Sequence, residues 1–301
     1  MHDGEFAVDD ALARALVTES FPELDERELR RVRTAATVNS IVRVGNDLVA
    51  RFPLLPASYE ELQREAAAMT ALADACPVRA PLPYGLAHGG ETYSSAWSMQ
   101  TWLPGITAHF DAHAGSVSLA QDLAALVRAL RAVDPAGRVF DGRGRGGILP
   151  DHDEWVAECL DRGAHLLDVP EAARLWQALR VLPRSGPDVM SHRDLTPFNL
   201  LIDVRAGETR LSGVLDGGSF GPADPGLDLV AAWHHFDAPA RQVLRSSVGA
   251  EDVEWLRGAA WAFQQAIGLA WYYEESNPTM SALGLSTLRR LLTDEELSAF
   301  T

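Results

Sequence analysis

The periodicity of this chain changes character at Pro104-Gly105, and that change limits its architecture more than any other feature. Before it, Ile41-Val42-Arg43-Val44 and Leu48-Val49-Ala50-Arg51-Phe52 flank the turn Gly45-Asn46-Asp47, which predicts a β-hairpin closed by Pro53 and Pro56. A short helix is expected over residues 9–18. Ser58 and Glu61 form a capping box, so a helix should run to about Asp74 with an apolar stripe of Leu62, Ala66, Met69, Leu72 and Ala73. Pro77, Pro81 and Pro83 end that element, and a strand follows over Ala96–Gln100. Beyond Pro104-Gly105 the pattern turns helical, near 118–132, 151–166, 171–181, 225–237, 251–273 and 285–299. One hairpin interrupts it: Asn199–Asp203, a loop around Arg205-Ala206-Gly207-Glu208, then Arg210–Asp216. The expected fold class is α+β, with a small sheet-plus-helix lobe over residues 1–103 and a larger, mainly helical lobe over 104–301.

Charge narrows the chemistry. The chain has 42 Asp+Glu against 26 Lys+Arg, a formal net charge of −16. That surplus repels nucleic acid and anionic membrane surfaces and attracts cationic small molecules. All 26 basic residues are arginine, which excludes a pyridoxal Schiff base, a lysine nucleophile and the usual P-loop. Cys76 and Cys159 form no CxxC pair and support neither a disulfide framework nor a zinc site. The start, Met1-His2-Asp3-Gly4-Glu5, lacks the layout of a signal peptide, and the apolar run Gly258–Tyr273 is broken by Gln264 and Gln265. A cytoplasmic protein without membrane partners is expected.

The chemistry concentrates in Ser191-His192-Arg193-Asp194-Leu195-Thr196-Pro197-Phe198-Asn199 and Val214-Leu215-Asp216-Gly217-Gly218. Asn199 opens one hairpin strand and Asp216 closes the other, so antiparallel pairing puts both at the open end. An amide oxygen and a carboxylate suit Mg²⁺ held jointly with substrate phosphates. Asp194, in the preceding loop, is placed to accept a hydroxyl proton, the logic of phosphoryl transfer. Upstream, Glu65 falls inside the apolar stripe of its helix and needs a partner. Arg51 is a fixed cation on the strand before that helix, so an Arg51–Glu65 ion pair is expected to turn the guanidinium toward nucleotide phosphates.

Arg51, Glu65, His192-Arg193-Asp194, Asn199 and Asp216-Gly217-Gly218, with the run Gly213–Leu229, resemble the aminoglycoside phosphotransferase family and its bilobal protein-kinase-like fold. The resemblance covers nearly the whole chain and is most specific over residues 190–233. It implies a transferase that moves the γ-phosphoryl of ATP or GTP to a hydroxyl of an antibiotic such as an aminoglycoside. Asp194 would be the base, Asn199 and Asp216 the Mg²⁺ ligands, and Arg51 the stand-in for a phosphate-binding lysine. Thr101 to Leu103 would meet the purine. The alternatives are a kinase of a macrolide or of a small metabolite (an amino alcohol or sugar), and a nucleotide-binding pseudokinase. Only Gly217–Ala223 separate Asp216 from Asp224-Pro225, too short for the activation segment of a protein kinase, so the acceptor is a small molecule.

Several positions depart from the family pattern. Arg51 replaces a lysine with a planar fork. Gly217 replaces an aromatic residue, and the nucleotide-covering loop Ala35–Ser40 has no glycine, leaving Asn39 or Ser40 to meet phosphate. Asp224-Pro225 reads as a helix N-cap with Pro at the first helical position. Asp228 reads either as a brace beneath the catalytic loop or as a plain first-turn carboxylate. Arg143-Gly144-Arg145-Gly146-Gly147 reads as a loop bordering the acceptor, and His234-His235 as helix-face histidines. Tyr272, Glu274 and Glu275 either line a site for a cationic acceptor, as the resemblance implies, or end a helix in core aromatics and solvated acids.

Overall fold

The computed structural model describes residues 6–32 and 39–300. They form two compact units. The first comprises the chain up to Asp74, Arg79–Pro104 and the short return segment Leu215–Ser219. Its first helix, α1 (Asp10–Ser20), is capped by Asp9, whose carboxylate accepts from Leu12 N at 2.8 Å. The sheet contains β1 (Leu29–Arg31), β2 (Asn39–Val44), β3 (Leu48–Pro53), β4 (Pro83–Ala87) and β5 (Trp97–Thr101), with α2 (Tyr59–Ala75) inserted between β3 and β4. All pairings are antiparallel and the order is β1-β2-β3-β5-β4.

The expected hairpin is β2–β3, in register from Asn39↔Pro53 to Val44↔Leu48, and Gly45 enters its turn with φ +64°. Alternation along β3 buries Leu48, Ala50 and Phe52 with Trp97 and Met99 against Ala13, Leu16 and Val17 of α1. Phe52 and Trp97 meet at 4.8 Å between ring centroids. The capping box forms as read: Glu61 N donates to Ser58 Oγ at 3.2 Å, and Ser58 N to Glu61 Oε2 at 2.9 Å. Strand β4 was not expected, because prolines crowd residues 77–83. It lies at the sheet edge and begins with Pro83, where a missing N–H costs no ladder bond.

The second unit holds β6 (Ile106–Thr107), α3 (Val117–Arg131), α4 (Asp153–Arg162), α5 (Val169–Leu179), β7 (Val189–Ser191), β8 (Leu200–Arg205), β9 (Glu208–Val214) and β10 (Gly221–Ala223). Helices α6 (Val230–His235), α7 (Ala238–Val248), α8 (Asp252–Tyr272), α9 (Pro278–Leu292) and α10 (Glu295–Phe300) complete it. Its axis is α8, buried from Trp255 to Gly268, as a helix apolar on all faces must be. Two small antiparallel sheets, β6-β8-β9 and β10-β7, position the loops described below.

Two helical expectations are corrected here. A single helix over 285–299 is instead α9 and α10, because Asp294 accepts from Glu296 N and Leu297 N at 3.1 Å and from Arg241 at 2.5 Å. Helix α7 was unforeseen, although Asp237 caps its start and Gly249, at φ +76°, ends it.

Candidate functional site

Strand β7 delivers the chain into the loop of Asp194. That loop is fastened from beneath by Asp228, 2% exposed, whose carboxylate accepts from Ser191 Oγ (2.8 Å), His192 N (3.0 Å) and Arg193 N (3.2 Å). Three donors on one carboxylate fix the backbone at the point where Arg193 turns to φ +71°. The open alternatives for Asp228 resolve in favour of the brace. The Arg193 guanidinium lies 4.8 Å from the Phe140 ring centroid, and donates to Asp141 (2.9 Å) and to the Arg143 carbonyl (2.6 Å). Asn199 ends a 3₁₀ turn, Pro197–Asn199, one residue before β8 rather than inside the strand. Its Nδ2 donates to Asp194 Oδ2 at 2.8 Å and to the Asp194 carbonyl at 2.9 Å. The hairpin pairs Leu200↔Val214 and Leu201↔Gly213, shifts register by one residue before Ile202↔Leu211, and turns through Ala206 and Gly207 at φ +51° and +83°.

In the first unit, the return segment brings Asp216 to β3. Arg51 Nη2 donates to Asp216 Oδ1 at 2.8 Å, so the guanidinium pairs with the expected metal ligand and not with Glu65 as predicted. Glu65 is also not core-facing: α2 buries Leu62, Met69 and Leu72, while Glu65 is exposed beside the return segment. Neighbouring protein atoms strip part of its hydration and raise its pKa, opposed by the Arg51 charge. Asp216 itself adopts φ +59°. The glycine after it has a packing reason, since a Cβ on Gly217 would lie 2.3 Å from Leu72 Cδ2. A larger residue and Leu72 compete for one space.

Of the covering loop Ala35–Ser40, residues 35–38 lie outside the described residues. Asn39 opens β2, and Ser40 Oγ accepts from Arg31 Nη1 at 2.8 Å. The Thr101 N–H donates to the Leu82 carbonyl at 2.9 Å and the Trp102 N–H to the Asp47 carbonyl at 2.7 Å. Both are thereby committed inside the unit.

Acceptor-side expectations are spread over the second unit. Glu274 pairs with His165 at 2.9 Å, Glu275 is exposed, and Tyr272 packs edge-on against Trp271 and Tyr273 at the end of α8. The residue found beside Asp194 is instead Arg145, from the loop read as merely bordering: its Nη1 lies 3.9 Å from Asp194 Oδ1. Its Nε donates to Gln264 Oε1 at 3.1 Å. Gln264 Nε2 also approaches His152 Nδ1 at 3.4 Å. Burial, reinforced by Arg145, pushes His152 below its usual pKa and leaves the ring neutral at pH 7. The clue was the pair of glutamines interrupting an apolar helix, since a buried amide needs a partner. Gln265 serves His234, which bonds Gln265 and Thr287 at 3.0 and 2.9 Å and is fully buried with His235. The helix-face histidines are therefore buried in the core. Asp224 is likewise no helix cap: its carboxylate pairs with Arg257 in the core and accepts from Gly226 N at 2.8 Å, and α6 starts only at Val230. Among the described residues no three His, Cys, Asp or Glu side chains gather into a metal cage. None of the described helices is long and apolar enough to cross a membrane.

A family model described as "Phosphotransferase enzyme family" (APH) matches residues 29–261. Among solved structures, the GDP complex of aminoglycoside 2′-phosphotransferase-IIIa is similar at 17% identity and a TM-score of 0.70, over 94% of this chain and 98% of that one. Macrolide 2′-phosphotransferase MphH from Brachybacterium faecium, an apoenzyme, is similar at 20% identity and a TM-score of 0.62, over 93% and 98%. The streptomycin–ATP ternary complex of APH(2″)-IIa is similar at 14% identity and a TM-score of 0.57, over 94% and 97%. At these identities the likeness is one of fold, a kinase-like one with a small sheet part and a larger helical part. No match was found among curated proteins.

Proposed function

This chain belongs to the APH phosphotransferase enzyme family and is a phosphotransferase with an alcohol acceptor; we propose that it moves the γ-phosphoryl of ATP or GTP to a hydroxyl of a small antibiotic-like molecule at Asp194. The observation that carries this reading is the Asp194 loop, which Asp228 anchors through two backbone N–H groups and the Ser191 hydroxyl, and whose carboxylate Asn199 orients. A base held in this way needs no reorganisation before reaction. The acceptor oxygen bonds to the γ-phosphorus as its proton passes to the Asp194 carboxylate. The bridge to the β-phosphate breaks, and the nucleoside diphosphate leaves with the bonding pair.

Asn199 and Asp216 would hold Mg²⁺, each by a hard oxygen of the kind that ion prefers. When bound, that ion neutralises phosphate charge. Arg51, already oriented by Asp216, meets the phosphates as a second cation, and Asn39, Ser40 and Glu65 border the same nucleotide. With Thr101 and Trp102 committed to Leu82 and Asp47, Leu103 is the residue of that segment left to offer its N–H to the purine. Tyr272, Glu274 and Glu275 form the outer acceptor wall, where carboxylates draw in cationic groups. The antibiotic class rests on the relatives, which are named for aminoglycosides and macrolides.

A nucleotide-binding module without transfer is the second reading, favoured by Arg51 engaging Asp216 itself. One experiment separates them. Nucleoside diphosphate release is followed with ATP and with GTP across an aminoglycoside and macrolide panel, for the native chain and Asp194→Ala. The expected result is acceptor-dependent release that falls by about 10²–10⁴-fold in Asp194→Ala while the nucleotide-induced thermal shift persists. Equal release from the two proteins sinks the role of Asp194, and binding without release by either supports the second reading.

A further inference from the structure

The loop 143–147 is built to hold one guanidinium against the base. Gly144 and Gly146 take φ +68° and +118°, and a Cβ on Gly146 would stand 2.7 Å from Ala223 Cβ, so the backbone passes where other residues do not fit. Asp224 N donates to the Gly146 carbonyl at 2.8 Å, and Arg193 donates to the Arg143 carbonyl at 2.6 Å. Clamped on both sides of Arg145, the loop presents that side chain, which Gln264 of α8 fixes through its Nε. Gln264 is 5% exposed and so has few rotamers open to it. The Arg145 and Asp194 side chains keep 35% and 40% exposure, so the pair faces an approachable space. Among the described residues Asp194 is the one carboxylate within ion-pair distance of Arg145. The acids of the α8 end, in contrast, include Glu274, already engaged by His165.

Resting on the transferase reading above, we propose that Arg145 is a specificity-determining residue of the acceptor site, selecting a hydroxyl flanked by oxygen (hydroxyl, ether or carboxylate) and rejecting one flanked by an ammonium group. A hydroxyl that reaches Asp194 Oδ1 brings its neighbouring substituent within a few ångströms of the Arg145 Nη atoms. An oxygen there accepts an N–H from the fork. An ammonium there meets a like charge, and at about 5 Å with an effective dielectric near 20 that repulsion alone corresponds to roughly a few hundredfold in affinity. Asp194 itself attracts that ammonium, but its charge is already shared with Arg145 at 3.9 Å, and the His152 ring and the Gln264 amide add no further carboxylate. Net charge −16 still draws polycations toward the molecule from afar. Local selection then decides which of their hydroxyls reacts.

The test uses methyl glucoside, glucuronate and glucosamine as matched probes, with nucleoside diphosphate release read at subsaturating sugar. Release with no sugar, where water is the acceptor, and its loss in Asp194→Ala report on the transferase reading separately. Methyl glucoside and glucuronate should exceed glucosamine by tenfold or more. Arg145→Glu should reverse that order and Arg145→Lys should keep it, at unfolding midpoints close to the native one. If no sugar raises release, saturation-transfer NMR on the nucleotide-loaded protein reads the same preference as binding. Glucosamine equal to or better than the others in the native chain, or a ratio unmoved in Arg145→Glu, overturns the proposal.

Discussion

Asp228 satisfies three donors with one buried carboxylate, and its removal takes the acceptor from Ser191 Oγ and His192 N, while Arg193 N keeps Ser191 Oγ at 3.0 Å. Asp228→Ala should cost about 3 kcal/mol in denaturant unfolding, with Asp228→Asn losing about half of that because one oxygen remains. A cost below about 1 kcal/mol for the alanine variant would mean that the brace contributes little. His234 gives a pH-dependent counterpart. Burial holds its pKa down at about 4, against the raising effect of its Gln265 hydrogen bond and with Arg145 and Arg290 also opposing protonation. Its folded pKa lies below its unfolded value of 6.5, so the unfolded chain binds the proton more readily between the two. This contribution is fully present above pH 6.5 and is lost as pH falls toward 4, roughly 3 kcal/mol across the window. The difference in unfolding free energy between the native chain and His234→Gln, measured at pH 7.5 and pH 4.5, should shrink at the lower pH.

At the scale of elements, α2 and the return segment are fitted to each other. Leu72 is 1% exposed and fills the space that a side chain at position 217 would need. Gly217→Ala should therefore destabilise by about 1–3 kcal/mol, as overpacking does. In a Leu72→Ala background the same substitution should cost at least about 1 kcal/mol less, since neighbouring changes couple. Equal costs in both backgrounds would place the strain elsewhere. The start of α2 was legible because Ser58 and Glu61 act locally, within one turn. The start of α6 was misread because Asp224, which looks like a cap, is claimed by Arg257, a residue 33 positions away. Pairs of that separation leave no periodic trace.

For the whole molecule, charge dominates. A surplus of sixteen carboxylates repels itself over distances that salt screens, whereas the many Arg–carboxylate pairs act at contact, where salt matters less. Raising ionic strength from about 0.01 M to about 0.15 M shortens the Debye length from roughly 30 to roughly 8 Å. The unfolding midpoint should rise over that range. A fall would show that the contact pairs outweigh the long-range repulsion.

Local chemistry was readable in the linear order of residues. Turn glycines, the capping box, alternation along β3 and the Asp194–Asn199 spacing each depend on neighbours within a few positions, and those interactions follow from covalent geometry. What only the tertiary structure decided is which distant charge each ionic group meets. Arg51 meets Asp216 rather than Glu65, Asp228 meets three groups of the Asp194 loop, and Arg145 leaves an unremarkable glycine-rich stretch to stand beside Asp194. A guanidinium on a flexible stem accepts any carboxylate within reach, so its partner is set by packing, and packing is a property of the folded chain alone.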